Sequence, residues 1–317
     1  MNLLVGLLLA LVSACAFGTS GALAKGLLVA GWAPGAAVAW RVSVGALALL
    51  VPAALAMRGR WGALRTGWRS VLLFGLVAVA GCQLAYFLAV ERLTVAVALL
   101  LEYSGVLLVV LWHWLRHGRR PRPLTLAGTA LALGGLALVL DVFGSVRVDP
   151  LGVMWGLIAA AGLATYFVVS EDDSSGVPPL ALATGGLAVG ALALLAAGAL
   201  GLLDLTWVRT EVELAGAVVP WWATVLALGL FAASFAYATG IAGVRRLGSK
   251  LASFVGLSEV LFAVAWAWLL LGEAPAPVQL VGGVLVMAGV FVVRLDEEPR
   301  RAEAPAAPAR LGSAPGD

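Results

Sequence analysis

Charged residues are scarce in this 317-residue sequence: Asp, Glu, Lys and Arg together make up 12% of it, whereas hydrophobic residues make up 62%. A soluble domain carries about 25% charged and about 45–50% apolar residues. With a mean hydropathy of +1.03, the chain could not cover a water-facing surface with polar groups. The composition therefore excludes a soluble globular protein and indicates a membrane domain.

Cysteine and histidine are also rare, with two of each. Cys15 and Cys82 lie in apolar runs, give neither a disulfide framework nor metal-ligand spacing, and are interpreted as small packing residues. His113 and His117 both fall near one predicted membrane edge, which argues against Ser-His-Asp chemistry. The glycines of residues 18–25 lack the spacing of a phosphate-binding loop. We therefore expect no enzyme activity, no metal and no cofactor.

Ten apolar runs are long enough to span a bilayer, which takes about 20 residues. They cover residues 3–24, 34–57, 70–90, 95–115, 124–141, 151–170, 178–202, 218–240, 250–271 and 278–294. No Lys or Arg precedes Lys25, so the first run is interpreted as a spanning helix and not as a cleaved signal. The final stretch, 296–317, is rich in Pro, Ala and charge, which predicts a disordered cytoplasmic tail.

Basic residues are concentrated in the loops on one side of the predicted bundle. That side carries Arg58, Arg60, Arg65, Arg69, Arg116, Arg119, Arg120, Arg122, Arg245, Arg246, Lys250, Arg294, Arg300, Arg301 and Arg310. The opposite loops carry only Lys25, Arg92, Arg147 and Arg209. Cytoplasmic loops are enriched in Lys and Arg. The sequence therefore predicts a multi-pass protein of the inner (cytoplasmic) membrane with both termini in the cytoplasm. This topology signal also explains the basic run 119–122, so no nucleic-acid partner is expected.

The sequence repeats itself at a shift of about 154 residues, which is the separation of Gly128 from Gly282. The same shift aligns Trp112, Trp114, Gly118, Pro121, Pro123 and Gly135 with Trp266, Trp268, Gly272, Pro275, Pro277 and Gly289. Each half holds five predicted helices, and because five is odd, the second half enters the membrane in the opposite sense. The predicted fold class is thus an all-α membrane protein with ten transmembrane helices as two inverted five-helix repeats, residues 1–145 and 146–295. Inverted repeats are typical of transporters that alternate access between the two sides.

Short motifs lie at fixed places in both halves. Residues 269–273 read Leu-Leu-Leu-Gly-Glu and are followed by Gln279 and a Gly pair at 282–283, while residues 100–105 read Leu-Leu-Glu-Tyr-Ser-Gly. Over about residues 3–294, the chain resembles EamA-type members of the drug/metabolite transporter superfamily, and Arg41 corresponds to the family's helix-2 arginine. The resemblance implies transport of small metabolites, often export.

The sequence departs from the family pattern at its prolines. Val106 and Val260 stand where the family has proline after helix-4 and helix-9 motifs, and Gly118-Arg119 replaces the family's Gly-Glu in the first half. Without these prolines, helices 4 and 9 are predicted to be straighter than is usual in the family.

Charged side chains inside a bilayer are costly and usually face a cavity or a partner. Glu102 and Arg41 each lie about seven residues into a predicted helix from the same side, and so at similar depth. They form either a structural ion pair or two anchors for an amino-acid-like zwitterion, in which the planar fork of Arg41 binds a carboxylate. A third alternative is an Arg41 side chain that extends outward to the membrane surface. Glu259 is predicted near the midplane, where desolvation disfavours its charged form. It is a candidate for proton coupling or for a hydrogen bond between helices, and His113, on nearly the same face as Glu102, is a further candidate for a proton path.

Polar and aromatic side chains near these charges are candidates for the cavity wall, although aromatic residues in membrane proteins more often serve packing or the interface. They are Gln83, Tyr86, Tyr103, Tyr237, Ser258, Trp40 and Trp266. With Glu102, Arg41 and Glu259 they make up the predicted substrate-binding set, and Glu259, Glu102 and His113 make up the predicted proton-coupling set.

The sequence therefore predicts a secondary active transporter, a monomer or homodimer, that exports a small polar metabolite such as an amino acid by alternating access. An importer or facilitator of the same fold is one alternative. A non-transporting membrane scaffold or sensor subunit is another, and it predicts a dry interior in which Glu102 and Glu259 are both fully paired.

Overall fold

The computed structural model describes residues 2–90, 92–93, 95–118, 121–139, 149–272 and 274–303. Within these ranges, nine helical stretches are long and apolar enough to cross a membrane. They are Leu3–Val29, Pro34–Ala56, Gly62–Tyr86, Ala98–Arg116, Pro150–Glu171, Pro179–Ala199, Trp221–Leu247, Ser249–Leu271 and Pro277–Leu295. A tenth apolar helix, Pro123–Val139, is shorter, and residues 140–148 after it lie outside the described ranges. The predicted all-α membrane fold is confirmed.

The helical elements follow the predicted runs closely. They are α1 (Asn2–Val29), α2 (Pro34–Ala56), α3 (Gly62–Leu73), α4 (Cys82–Val90), α5 (Val95–Tyr103), α6 (Gly105–His117), α7 (Pro123–Val139), α8 (Pro150–Glu171), α9 (Pro179–Ala199), α10 (Trp221–Gly229), α11 (Ala236–Leu247), α12 (Ser249–Gly256), α13 (Ser258–Leu271) and α14 (Pro277–Glu303). Pro34, Pro150 and Pro179 open their helices, where the missing N–H costs no hydrogen bond.

Two helices extend beyond their predicted ends. α1 continues to Val29, beyond the predicted end at residue 24, and α14 continues to Glu303 through part of the predicted tail. The rest of the predicted tail, residues 304–317, lies outside the described residues.

A short β-hairpin lies before the eighth span, where a helix from residue 218 was predicted. Strands β1 (Val212–Leu214) and β2 (Ala217–Val219) pair antiparallel, and the two turn residues, Ala215 and Gly216, have φ of 54° and 74°. Positive φ at both turn positions is the geometry of a tight hairpin turn. The helix starts later because Pro220 disfavours helical backbone in the residue before it, and valine favours the extended form.

The fourth and ninth spans are each interrupted, at corresponding positions of the repeat. Ser104 separates α5 from α6, and Leu257 separates α12 from α13. The Ser104 hydroxyl donates to the Leu101 carbonyl oxygen at 2.5 Å, and the Ser258 hydroxyl donates to the Val255 carbonyl oxygen at 2.6 Å. A serine hydroxyl bonded back to its own helix competes with the helical ladder and bends it. The lack of proline therefore does not leave these helices continuous, contrary to the expectation that they run straighter.

The third and eighth spans also share an irregularity. Each contains a π-helical segment, Phe74–Gly81 between α3 and α4 and Leu230–Phe235 between α10 and α11. A π-helical turn shifts the following residues around the helix axis and leaves carbonyl groups less regularly bonded, which is why such segments are frequent at functional sites. The irregular spans are thus the third and fourth of the first repeat and the eighth and ninth, their counterparts in the second repeat.

Candidate substrate site

Three charged side chains meet in the middle of the bundle: Arg41 of α2, Glu102 of α5 and Glu259 of α13. Arg41 interacts electrostatically with both carboxylates, and the two carboxylates interact with each other. Glu102 lies just before the break at Ser104, and Glu259 lies just after the break at Leu257. The two serine-bonded interruptions therefore bring one acidic residue from each repeat to the same region.

Arg41 is held by the backbone and leaves one donor free. Its side chain is only 7% exposed, and Nη2 donates to the Ala232 carbonyl oxygen, in the π-helical segment of the eighth span, at 2.7 Å. The guanidinium carbon lies 5.8 Å from the centre of the Phe17 ring, within range of a cation–π contact. Its Nε has no hydrogen-bond partner among the residues that the structure describes. A buried donor without a partner is unfavourable unless a ligand or water supplies the acceptor.

The ion pair considered from the sequence does not form within the described ranges, where no nitrogen of Arg41 comes within 4 Å of a Glu102 or Glu259 oxygen. Glu102 instead accepts a hydrogen bond from the Cys82 thiol at 3.3 Å. The same thiol lies 3.4 Å from the Ala159 carbonyl oxygen. Because a thiol carries one proton, it donates to one of these acceptors at a time.

Glu259 has different neighbours from Glu102. Tyr103, next in sequence to Glu102, interacts electrostatically with the Glu259 carboxylate. Gly18 of α1 lets this part of α13 approach closely, since a Cβ at Gly18 would come within 2.9 Å of the Ala263 backbone nitrogen. Tyr103 thus links the acidic residues of the two repeats, and Glu102 and Glu259 both keep part of their surface accessible.

Four predicted wall residues join the charged group. Tyr103 and Tyr237 are buried, while Gln83 and Tyr86 are partly exposed. Gln83 lies close to the Tyr237 hydroxyl, and Tyr86 interacts electrostatically with both carboxylates. Phe17, Phe74, Tyr166 and Tyr237 form a continuous aromatic cluster beside Arg41, with ring centres 5.0–6.5 Å apart.

The other predicted residues lie elsewhere. Trp40 belongs to an outer cluster with Trp32, Trp207 and Trp221, in which all six pairs of ring centres are 5.4–6.5 Å apart. The Ser258 hydroxyl bonds its own helix, and Trp266 Nε1 donates to the Cys15 carbonyl oxygen at 3.1 Å.

His113, a predicted proton-path residue, lies at the other end of the molecule from this tryptophan cluster. Its Nδ1 is 3.1 Å from the Val109 carbonyl oxygen, and its Nε2 is 3.6 Å from Glu171 Oε2. It therefore contacts the end of α8 and not the pair of buried carboxylates.

A cavity leads to Arg41 from the turn between α1 and α2. It is lined by Ser20, Ala24, Leu28, Pro34, Ala37, Val38, Arg41 and Leu228. Apart from Arg41 and Ser20, these side chains are apolar. The cavity therefore combines one cationic group with an apolar wall.

No group of three or more His, Cys, Asp or Glu residues in the described ranges is arranged to hold a metal ion.

Cys82 and Phe17 are site residues that the sequence analysis missed. Cys82 was interpreted as packing, yet it lies four residues before Tyr86 in α4, and residues at this spacing share a helix face. Since Tyr86 was a predicted wall residue, this spacing could have placed Cys82 beside it. Phe17 was not selected from the sequence, and nothing in the sequence indicates its contact with Arg41.

The whole bundle matches one family model twice. The model of the EamA-like transporter family matches residues 4–141 and 150–295. The chain belongs to the EamA-like transporter family. The resemblance inferred from the motifs is confirmed, and the protein is a multi-pass membrane transporter with two repeats, although the boundary between residues 145 and 146 stays a prediction.

Curated relatives are named as transporters. The chain is 28% identical over 287 residues to the uncharacterized transporter YwfM of Bacillus subtilis, covering 90% of this chain and 92% of that protein. It is 25% identical over 224 residues, 70% of each chain, to the threonine/homoserine exporter RhtA of Escherichia coli K12. It is 32% identical over 189 residues to a probable terminal-alkyne amino-acid exporter of Streptantibioticus cattleyicolor, covering 59% of this chain and 60% of that protein.

A solved crystal structure has the same fold as this EamA transporter. The two agree with a TM-score of 0.72 at 24% identity, over 96% of this chain and 99% of the other. At this identity, the likeness bears on the fold alone.

Proposed function

We propose that this EamA transporter is a secondary active exporter of a small amino acid or a related zwitterionic metabolite, which it moves across the cytoplasmic membrane by alternating access. The observation that carries the proposal is the buried Arg41, which lines the cavity and lies beside two carboxylates that it does not pair with at close range. Its Nε has no hydrogen-bond partner among the described residues. Fixed groups of both signs, not neutralised by each other, suit a ligand that carries both charges.

In this proposal, Arg41 binds the substrate carboxylate. Its Nη2 is already fixed by Ala232, which orients the planar guanidinium and leaves Nε available as a donor. An arginine fork matches the geometry of a carboxylate better than a lysine ammonium does. The apolar cavity wall, with Ala24, Leu28 and Val38, then receives the substrate's side chain.

Glu102 and Glu259 bind the substrate amine and a proton in alternation. Two neighbouring carboxylates disfavour each other's charged form, so the pair retains a proton more readily than a single carboxylate does. An arriving amine that pairs with one carboxylate displaces that proton. Competition between amine and proton for the same group is the basis of an exchange in which the proton gradient drives export.

Export is favoured over import because RhtA is a threonine/homoserine exporter and the Streptantibioticus protein is named a probable amino-acid exporter. The basic loops support cytoplasmic termini: Arg245 at the end of α11 pairs with Asp173 after α8 at 3.0 Å, so the loops after the sixth and eighth spans share one end of the molecule. A sealed scaffold or sensor subunit is disfavoured because Arg41 Nε has no partner in the part of the chain that the structure describes, and because both acids keep accessible surface.

Transport by purified protein in vesicles tests the proposal. Vesicles loaded with labelled threonine, homoserine or other amino acids are diluted with and without an imposed pH gradient, and efflux and uptake are measured in both orientations. We expect Arg41→Gln to lower the transport efficiency by about 10- to 100-fold, the scale of one lost charge-assisted hydrogen bond. Glu102→Gln should abolish transport with normal expression, and Glu259→Gln should remove the response to the pH gradient.

The control is Arg116→Gln, which removes the same charge from an exposed position at the end of α6 and should leave transport unchanged. Wild-type rates in Arg41→Gln or Glu102→Gln would refute the proposed site. Uptake without efflux would favour an importer, and equal rates in both directions without any response to the gradient would favour a facilitator.

A further inference from the structure

One face of α3 is exposed and carries only cationic, aromatic and aliphatic side chains. Trp61 and Trp68 are 57% and 51% exposed, and Arg65, Arg69 and Leu72 are exposed as well. Positions 61, 65, 68, 69 and 72 follow the spacing of a single helical face. This arginine–tryptophan face lies at the start of the third span, Gly62–Tyr86, and hence at one end of the bundle.

The opposite side of α3 is the one that packs on the protein. Gly67 lies against Val177 and Ser175, and Thr66 Oγ1 donates to the Ser175 carbonyl oxygen at 3.3 Å. The arginine–tryptophan face therefore takes no part in holding the bundle together. Packing within the bundle does not require its composition.

The charge of this face is positive without compensation. No Asp or Glu occurs in the chain before Glu91, while Arg58, Arg60, Arg65 and Arg69 fall within residues 58–69. None of these four arginines forms an ion pair within 4 Å in the described part of the chain, and the neighbouring Asp173 is paired with Arg245.

The aromatic part of the face is organised around the charge. The Arg69 guanidinium carbon lies 5.4 Å from the centre of the Trp68 ring. A cation held over an indole is a cation–π contact, which limits the freedom of the arginine side chain. Tryptophan is itself enriched where a membrane protein crosses the headgroup region, because one edge is polar and the rest is apolar.

We propose that the arginine–tryptophan face, with Arg58 and Arg60 beside it, binds the headgroup phosphate of an anionic phospholipid. The arginine forks match phosphate oxygens. Trp61, Trp68 and Leu72 supply apolar contact for the glycerol and upper acyl region, which a free phosphate does not have, so the occupant is a lipid. The site is separate from the proposed transport site and does not depend on the substrate.

The test uses brominated lipids as quenchers of tryptophan fluorescence. Full-length protein in phosphatidylcholine nanodiscs receives a small fraction of brominated phosphatidylglycerol or, in parallel, brominated phosphatidylcholine. Because the chain has 12 tryptophans, the signal of this face is obtained by subtracting that of the Trp61→Phe/Trp68→Phe variant. We expect phosphatidylglycerol to quench this signal at several-fold lower mole fraction than phosphatidylcholine.

Removing two charges from the face should remove the preference. Each arginine near an anionic surface contributes about 5-fold in binding, so Arg65→Gln/Arg69→Gln should weaken the phosphatidylglycerol interaction by about 25-fold. Arg65→Lys/Arg69→Lys retains the charge and should keep part of it. The control Arg116→Gln/Arg246→Gln removes the same net charge from the same end and should bind like the wild type.

Two results would overturn the proposal. One is an unchanged lipid preference in Arg65→Gln/Arg69→Gln, and the other is an equal loss in the control variant, which would indicate general attraction to a basic membrane end. Before binding is compared, the chromatographic elution volume and the helical content of each variant establish that it is folded. The substituted side chains are exposed, so we expect both measurements to match the wild type.

Discussion

Gly135 of α7 and Gly282 of α14 lie face to face. A Cβ at Gly135 would come within 2.7 Å of the Gly282 carbonyl oxygen, and a Cβ at Gly282 within 2.6 Å of the Gly135 carbonyl oxygen. Gly128 and Gly289 form a second pair of the same kind, with the corresponding distances 2.9 and 2.6 Å. In the repeat, Gly128 corresponds to Gly282 and Gly135 to Gly289. Each glycine therefore packs against the counterpart of the other glycine in its own helix. This reciprocal pairing places a pseudo-two-fold axis between antiparallel fifth and tenth spans, as inverted repeats require.

The glycine pair gives a sharp stability prediction. Gly135→Ala adds a methyl group against backbone atoms that have no room to yield, so it should lower the thermal stability of the purified protein. Overpacking of this kind typically costs about 1–3 kcal/mol. The measurement is loss of the monodisperse chromatographic peak after heating.

The adjacent residue provides a matched control. Gly134 is exposed, and a Cβ there would meet nothing within 4 Å. Gly134→Ala should leave stability unchanged or raise it, because alanine is a better helix former than glycine. If both substitutions lowered the stability equally, the close contact between α7 and α14 would not be the cause.

The serine-bonded breaks predict a kinetic effect. Ser104→Ala and Ser258→Ala each remove the hydroxyl that bonds back to the helix, so α5–α6 and α12–α13 should become more regular and shift Glu102 or Glu259. We expect a lower transport efficiency, because the shifted carboxylate meets the substrate amine less well. Threonine at either position keeps the hydroxyl and should retain most of the efficiency, and wild-type efficiency in the alanine variants would contradict this interpretation.

Glu171 at the end of α8 predicts an effect on access from the end where His113 lies. Its Oε2 accepts from Ser249 Oγ at 2.6 Å and lies 3.6 Å from His113 Nε2, which joins α8 to α12 and α6. Glu171→Ala should loosen this end. In a Cys15→Ser background, we expect faster labelling of Cys82 by a membrane-impermeant thiol reagent applied from that side.

Glu213→Ala is the control for this experiment, since Glu213 is an exposed acid of the β-hairpin near the other end. It should leave the labelling rate unchanged. Equal labelling of Cys82 in the Glu171→Ala and reference proteins would mean that these contacts do not restrict access.

Asp149 predicts a pH effect outside the membrane. Its carboxylate accepts from the Leu151 and Gly152 backbone N–H groups at 2.8 and 3.3 Å at the start of α8, and these bonds hold its pKa below the ordinary value, with a smaller effect from Arg92. A lowered folded-state pKa means that the stabilisation is complete above the ordinary pKa and is lost as the pH falls through the lowered one. Asp149→Ala should therefore lower the melting temperature near neutral pH, and the difference from wild type should shrink below about pH 4.

Asparagine tests the same point in another way. Asp149→Asn keeps an N-cap acceptor and loses the titration. It should remain close to the wild type near neutral pH and should show no added loss in acid. A difference between wild type and Asp149→Ala that stays constant with pH would contradict the assigned role of the carboxylate.

Much of the candidate site was accessible from the sequence because charge in a bilayer is rare. Arg41, Glu102 and Glu259 were selected on that ground alone, and the structure brings them together. The tryptophans were harder to place, because an apolar aromatic residue fits a packed core, a lipid face and a cavity wall equally well. Trp40 was assigned to the cavity and lies in the outer tryptophan cluster, while Phe17 was overlooked and contacts Arg41.

The sequence alone determined the membrane class, the number of spans and the repeat. Hydropathy over about 20 residues is a local property of the chain. The repeat is a linear one, a fixed shift of 154 residues that separates Gly128 from Gly282. The tertiary structure alone decided how the buried charges are partnered. Glu102 accepts from the Cys82 thiol, Glu259 lies beside Tyr103, and Arg41 donates to a carbonyl oxygen instead of binding either acid. These partners depend on the helix breaks and on close helix approaches, which are set by packing between segments far apart in the chain.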